Sequence, residues 1–187
     1  MDIRRWYTLA RPQYKNSCGI SSLVSCWNYL HSYLGAGTKK PISTEEALKV
    51  IGIEPPYQDI GFGSFTGNGT LKDWFKLLNL HYGVRGSSKT LFKLHGKGRV
   101  STTKEEALDL LHEGLRSENK AYIYHSYNHY FCPVGYESTA VSQVDAFKTK
   151  EQIGDNTVEW IIIGEISRRS PVFHVRKWDD IATDIDQ

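Results

Sequence analysis

From Cys18 to Leu34 the apolar residues Ile20, Leu23, Val24, Trp27, Leu30 and Leu34 recur at i, i+3, i+4, i+7, i+10 and i+14, one continuous stripe that predicts a helix. Asn16 or Ser17 can cap its start, and Gly35 with Gly37 can end it. "PISTEEALKVIG" predicts a second helix, because Ser43 and Glu46 have capping-box spacing and Gly52 stops the run. "TLKDWFKLLNLHYG" reads as a third, opened by Thr70 with Leu71, Trp74, Phe75 and Leu78 inward. "STTKEEALDLLHEGL" reads as a fourth, boxed by Thr102 with Glu105 or by Thr103 with Glu106. Between the second and third, "EPPYQDIGFGSFTGNG" holds too much Pro and Gly for regular structure.

The pattern changes at Ala121. "AYIYHS" and "HYFCPVGYE" are short aromatic and β-branched runs around "YN", which suggests a hairpin. "TVEWIIIGE" is apolar enough for a central strand, "PVFHV" reads as a fourth strand, and the polar stretch from Ser138 to Asn156 reads as an excursion between strands. Helices first and an antiparallel sheet afterwards predict an α+β fold. It forms a single domain over residues 1–187, helical to about residue 118 and sheet from about residue 119.

Composition narrows the class. With 187 residues, 40% hydrophobic and 24% charged, the chain has the makeup of one soluble globular domain. A formal charge of +2 supplies no field that would call for nucleic acid. Three cysteines in no repeated framework argue against a disulfide-built secreted module and for a reducing intracellular compartment, cytoplasm or nucleus. "MDIRRWYTLARPQY" lacks the apolar core, roughly 7 to 15 residues, of a signal peptide, and no run of about 18 apolar residues exists. No membrane span is therefore expected.

The candidate chemistry centres on Cys18. At about 100° per residue it falls opposite the apolar stripe, so it is expected off the core face. It lies in the first helical turn, where unpaired N–H groups and the positive end of the dipole favour a thiolate. Gly19 after it lets another chain approach the backbone closely. Cys26, on the flank of the stripe, and Cys132, mid-strand among aromatic residues, are expected to be inert small hydrophobes. A thiolate nucleophile needs a base, and His129, opening a strand after a turn, is the best placed, with His125 as its competitor.

Gln13, the "CG" of Cys18 and Gly19 at the start of a long helix, and His129 followed by Gly135 and Tyr136 together resemble the papain-like cysteine peptidases, particularly the bacteriocin-processing type. Over nearly the whole chain, "RPQYKNSCGISSLVSCWNYL", "SFTGNGTLKDWF", "AYIYHSYNHYFCPVGYE" and "IIIGEISRRSPVFHVRKWDDI" look like the basic, immunoglobulin-like variable motif-containing family of eukaryotes. The papain-like resemblance implies a central nucleophile helix packed on the sheet, Cys18 as nucleophile and His129 as base. It also implies Gln13 as an oxyanion donor beside the Cys18 N–H, and Glu165, at the end of a strand, as the third member that orients the imidazole. Four residues separate Gln13 from Cys18, one fewer than in papain and as in some deubiquitinases of the same broad fold, and glutamate stands where Asp or Asn is usual. The immunoglobulin reading that the second family's name invites is not supported, since Cys26 and Trp27 lie inside a helical pattern.

The remaining motifs add little. "GFGSFTGNGT" lacks the lysine of a phosphate loop and reads as a loop lining a cleft. On one continuous strand His125 and His129 would sit about 13 Å apart, so only hairpin pairing could gather them with Cys132 or Glu165 around a metal, and no metal site is assigned. "SRRSPVFHVRKW" reads as a solvated basic edge strand. Two functions remain open. One is a thiol hydrolase, or an acyl transferase running the same chemistry, that cleaves an amide or isopeptide bond of a peptide or protein through an acyl-enzyme at Cys18 without a cofactor. The other is a non-catalytic module of the same fold that binds a peptide or protein. Trp6, Tyr14 and Phe65 are candidates to furnish the groove in either case.

Overall fold

Among the described residues, eleven α-helices and β-strands follow one another: α1 (Ile3–Tyr7), α2 (Cys18–His31), α3 (Thr44–Val50), α4 (Asn68–His81), α5 (Lys104–Arg116), β1 (Tyr124–Ser126), β2 (His129–Ala140), α6 (Lys150–Ile153), β3 (Thr157–Gly164), β4 (Phe173–Lys177) and α7 (Trp178–Ile185). They come from a computed structural model that describes residues 2–11, 14–57, 67–93, 100–126, 129–167 and 170–185. The fold is α+β: helices lead, and the four strands form one antiparallel sheet in the order β1-β2-β3-β4. No described helix is long and apolar enough to cross a membrane.

Alternation along β2 sets the layers. Tyr130, Cys132 and Val134 project to the side of the sheet occupied by α2, beyond which lie α3 and α4. Phe131, with Tyr124, Ile161 and Ile163 of the neighbouring strands, projects to the other side and packs on Ala107, Leu111 and Leu115 of α5 and on Trp178, Ile181 and Ala182 of α7. α2 is thus the central helix, enclosed by sheet and helices.

That enclosure corrects the expectation of a helix with one buried stripe. Every residue of α2 from Cys18 to Tyr29 is buried, and Cys18 lies within the core at 7% exposure. Ser25 and Asn28, on the side expected to face solvent, are matched to backbone instead. Ser25 Oγ donates to Ser21 O at 2.7 Å and accepts from Ala10 N at 2.9 Å, and Asn28 exchanges two 2.9 Å hydrogen bonds with the backbone of Ile42. Buried polar groups are tolerated on these terms.

α2 stops at His31, one turn earlier than the apolar spacing predicts, and Leu34 is exposed. The chain reverses there and runs back against the last turn, with Ala36 N donating to Tyr29 O at 2.7 Å. A Cβ on Gly35 would stand 2.2 Å from that same oxygen, so the close approach admits only glycine.

The boxes at Ser43 with Glu46 and at Thr103 with Glu106 are both present, the latter deciding between the two registers left open by the sequence. α4 begins at Asn68, ahead of Thr70, with Leu71, Phe75 and Leu78 buried and Trp74 partly so. β2 extends to Ala140, paired with Thr157, so the excursion begins at Val141 rather than at Ser138. Polar pairs hold this extension: Ser138 Oγ donates to Glu159 at 2.6 Å and Trp160 Nε1 to Thr139 Oγ1 at 2.8 Å. The register shifts between Pro133 and Gly135, where proline has no N–H for the ladder. The Tyr127–Asn128 turn, and residues 58–66 with Phe65, lie outside the described residues, as does Gln13.

Candidate active site

The loop before α2 delivers Cys18 to the first helical turn in an unusual way. Asn16 has a left-handed φ of 59°, which turns the chain into the helix. Ser17 occupies the N-cap position but makes no side-chain cap, its hydroxyl donating instead to Tyr14 O at 3.0 Å. The first-turn N–H groups are therefore not consumed by a capping side chain, and Gly19 N–H lies against the Cys18 sulfur.

His129 opens β2, opposite Ser126 of β1, and its imidazole reaches Cys18 on one side and Glu165 on the other. Its Nε2 lies 2.9 Å from Glu165 Oε1, which leaves Nδ1 for the thiol. Glu165 follows the last residue of β3, and its side chain is only 3% exposed whereas that of His129 is 31% exposed. The same Oε1 accepts Ser167 N–H at 2.7 Å, and Glu165 N–H donates to Val172 O at 2.8 Å, which pins the acid's backbone to the segment entering β4. The structure thus gathers Cys18, His129 and Glu165. His125 is turned elsewhere, stacked on Tyr130 at 4.1 Å with the rings nearly parallel.

The electrostatics form one coupled system. Burial pushes the Cys18 thiol up, but the His129 hydrogen bond, the Tyr130 and Gly19 N–H groups and the imidazolium charge outweigh it, so the thiol lies below its ordinary value. The hydrogen bond with Cys18 and then that with Glu165 push His129 up to about 9, against a smaller opposing effect of burial. Burial likewise pushes Glu165 up, and the bonds from His129 and Ser167 N–H bring it below the usual carboxylate range. His129 is thus held toward its protonated form between the Cys18 sulfur and the Glu165 carboxylate, and the Cys18 thiol gives up its proton more readily than an ordinary cysteine.

Sequence reasoning missed Arg11, whose guanidinium donates to Ser167 O at 2.7 Å and so ties the loop before Cys18 to the residue that holds Glu165. The Tyr130 N–H beside the sulfur has no signature in side-chain identity and could not have been read in advance. Tyr14, a groove candidate, donates through its hydroxyl to Glu45 Oε1 at 2.5 Å, whereas Trp6 packs on Phe173 with 5.5 Å between ring centroids. Among the described residues no cluster of three or more His, Cys, Asp or Glu side chains could hold a metal ion.

The sequence profile of the family described as "Basic immunoglobulin-like variable motif-containing protein" matches residues 1–187. A protein of that name from Homo sapiens is 52% identical over 186 residues, covering 99% of this chain and 37% of the relative. One from Xenopus tropicalis is 52% identical over 187 residues, again with 37% of the relative covered. One from Giardia intestinalis is 27% identical over 206 residues and is covered to 73%. The chain therefore spans a little over a third of the length of its vertebrate relatives. No solved structure matches it significantly.

Proposed function

The chain belongs to the basic immunoglobulin-like variable motif-containing family, and on that premise we propose that it is a thiol hydrolase of papain-like fold, acting on an amide or isopeptide bond of a peptide or protein. The observation that carries this reading is the line from the Cys18 sulfur through His129 to Glu165 Oε1, with the carboxylate 2.9 Å from Nε2. Its placement supports the papain-like assignment: nucleophile at the start of the central helix, base opening a strand of the sheet, acid at the end of the next strand.

In this mechanism the Cys18 thiolate attacks the substrate carbonyl carbon. The negative charge that develops on oxygen is met by the Cys18 backbone N–H and, as the papain-like resemblance implies, by the Gln13 side-chain amide. Protonated His129 gives its Nδ1 proton to the leaving amine, and the acyl group remains as a thioester on Cys18. Neutral His129 then draws a proton from water, which attacks the thioester and releases the acid. Glu165 keeps Nε2 protonated throughout, so that Nδ1 is the nitrogen that exchanges protons.

The test uses p-nitrophenyl acetate as a generic acyl donor. A burst of nitrophenol, one acetyl group mapped to Cys18, and turnover lost in Cys18→Ala are expected, with His129→Ala slowing both acylation and release. If Cys18 acetylates no faster than a free cysteine in an unfolded peptide, the hydrolase reading fails and the non-catalytic binding module takes its place.

A further inference from the structure

The mechanism leaves two of the three cysteines unused, and the fold brings those two together. Cys26 lies on α2 and Cys132 on β2, both buried and both reduced, in one small cluster with Val134. Cys132 Sγ stands 3.7 Å from Ser22 O, the carbonyl that an α-helix pairs with the N–H four residues on, which is that of Cys26. Cys132 is therefore seated over the turn of α2 that carries Cys26, and the two thiols interact directly. The sequence expectation of two inert small hydrophobes carries no sign of this pairing, because 105 intervening residues hide it.

The cluster is not sealed. Cys26 and Cys132 line a small cleft together with Arg5, Tyr29 and Tyr122. Arg5 is 4% exposed, its Nη2 donates to Gly114 O and Ser117 O, and its guanidinium lies 4.0 Å from the Tyr29 ring centre. That guanidinium lines the same cleft and favours an anionic Cys26 sulfur, against the larger opposing effects of Cys132 and burial. Cys26 Sγ donates to Tyr122 O at 3.4 Å. The interaction with Cys26 holds the Cys132 thiol below its ordinary value against burial, while the same interaction together with burial pushes Cys26 up.

We infer that Cys26 and Cys132 are an oxidisable dithiol which a small peroxide converts to an intrachain disulfide, joining the helix that carries Cys18 to the strand that carries His129. The Cys132 thiolate attacks one oxygen of hydrogen peroxide, the O–O bond breaks, and the departing hydroxide leaves as water after taking up a proton. Cys26 sulfur then attacks the resulting sulfenic acid, the S–O bond breaks, and a second water leaves with the Cys26 proton. Two electrons pass from the sulfurs to peroxide, and the chain loses two hydrogens.

The experiment takes the full chain with Cys18→Ala, so that the reactive thiol of the candidate active site cannot contribute, and exposes the folded protein to hydrogen peroxide. The expected product is a monomer lighter by two hydrogens, restored by dithiothreitol, that yields a Cys26–Cys132 linked peptide on non-reducing digestion. Its resistance to alkylation should disappear after reduction, and Cys132→Ser in the same background should give no such species. Oxygen adducts without a linked peptide, disulfide-joined chains, or both thiols still alkylatable when a free-cysteine control is oxidised would each overturn the inference. The outcome is independent of whether Cys18 is catalytic.

Discussion

Glu165→Gln isolates the charge of the acid from its shape. Among the described residues, the hydrogen bonds from His129 Nε2 and from Ser167 N both fall on Oε1, so a glutamine can keep both with its carbonyl oxygen and lose only the negative charge. His129 stands at about 9 against an ordinary 6.5, and at about 1.4 kcal/mol per unit that rise amounts to about 3 kcal/mol in favour of imidazolium. The hydrogen bond with Cys18 is the largest cause of that rise and the one with Glu165 the next. A charge-assisted hydrogen bond exceeds a neutral one by about 1 kcal/mol. On that difference the His129 titration should fall by about one unit, to about 8. The assay is the pH dependence of the His129 ring resonances. The acid limb of Cys18 alkylation should move little, because imidazolium is present on both sides of that step. A His129 midpoint within a few tenths of a unit of the parent would refute the reasoning. So would an acid limb that climbs as far as the alkaline one falls, since Glu165 would then act on the sulfur directly.

Removing the base should expose the opposing effect of burial. In His129→Ala the Cys18 thiol rises above its ordinary value, and alkylation by iodoacetamide at pH 6 should slow by on the order of 10- to 100-fold, an unchanged rate being the adverse result. Gly35→Ala places a Cβ 2.2 Å from a backbone oxygen of α2 and should lower unfolding free energy in urea by about 3 kcal/mol. A loss of a few tenths would mean that the reversal after His31 yields freely. Ser43→Ala and Thr103→Ala each delete the hydroxyl of a complete capping box and should each cost about 1 kcal/mol by the same measurement. Retention of full stability would show that tertiary packing alone holds those helix starts.

What could be read in advance follows the range of the forces involved. The boxes at Ser43 and Thr103 are contacts between residues three apart, so the sequence displays them completely. The hairpin of β1 and β2 is nearly as local, and His129 could be placed at the head of β2 for that reason. The burial of α2 was not legible, because Ser25 and Asn28 satisfy themselves on the backbone near Ala10 and Ile42, and a hydropathy pattern registers such residues as solvent-facing. The expectation that Cys18 lies off the core face fails for the same reason. α1 is five residues long, too short for periodicity, and only the Asp2 cap on Arg4 N marks it. The proximity of Glu165 to His129 depends on β2 pairing with β3 across a 16-residue connection, from Val141 to Asn156, and was suggested by resemblance alone.

The buried carboxylate gives the site its direction. A glutamate side chain at 3% exposure is expensive unless it is paired, and among the described residues it accepts from the Ser167 N–H and meets the His129 imidazole. If His129 were neutral, that charge would be left with hydrogen bonds from neutral donors, so Glu165 drives His129 toward imidazolium. Imidazolium in turn makes it favourable for Cys18, a residue otherwise packed among apolar side chains, to give up its proton. Burial, which by itself would silence the thiol, thus acts on Glu165 to activate it. Stability alone does not call for this arrangement, because apolar residues of similar volume at positions 129 and 165 would hold that end of the two central strands as well or better. A chain that needed only a packed core would gain nothing from the charged line, whereas the nucleophile proposed at Cys18 would draw on it to lose its proton.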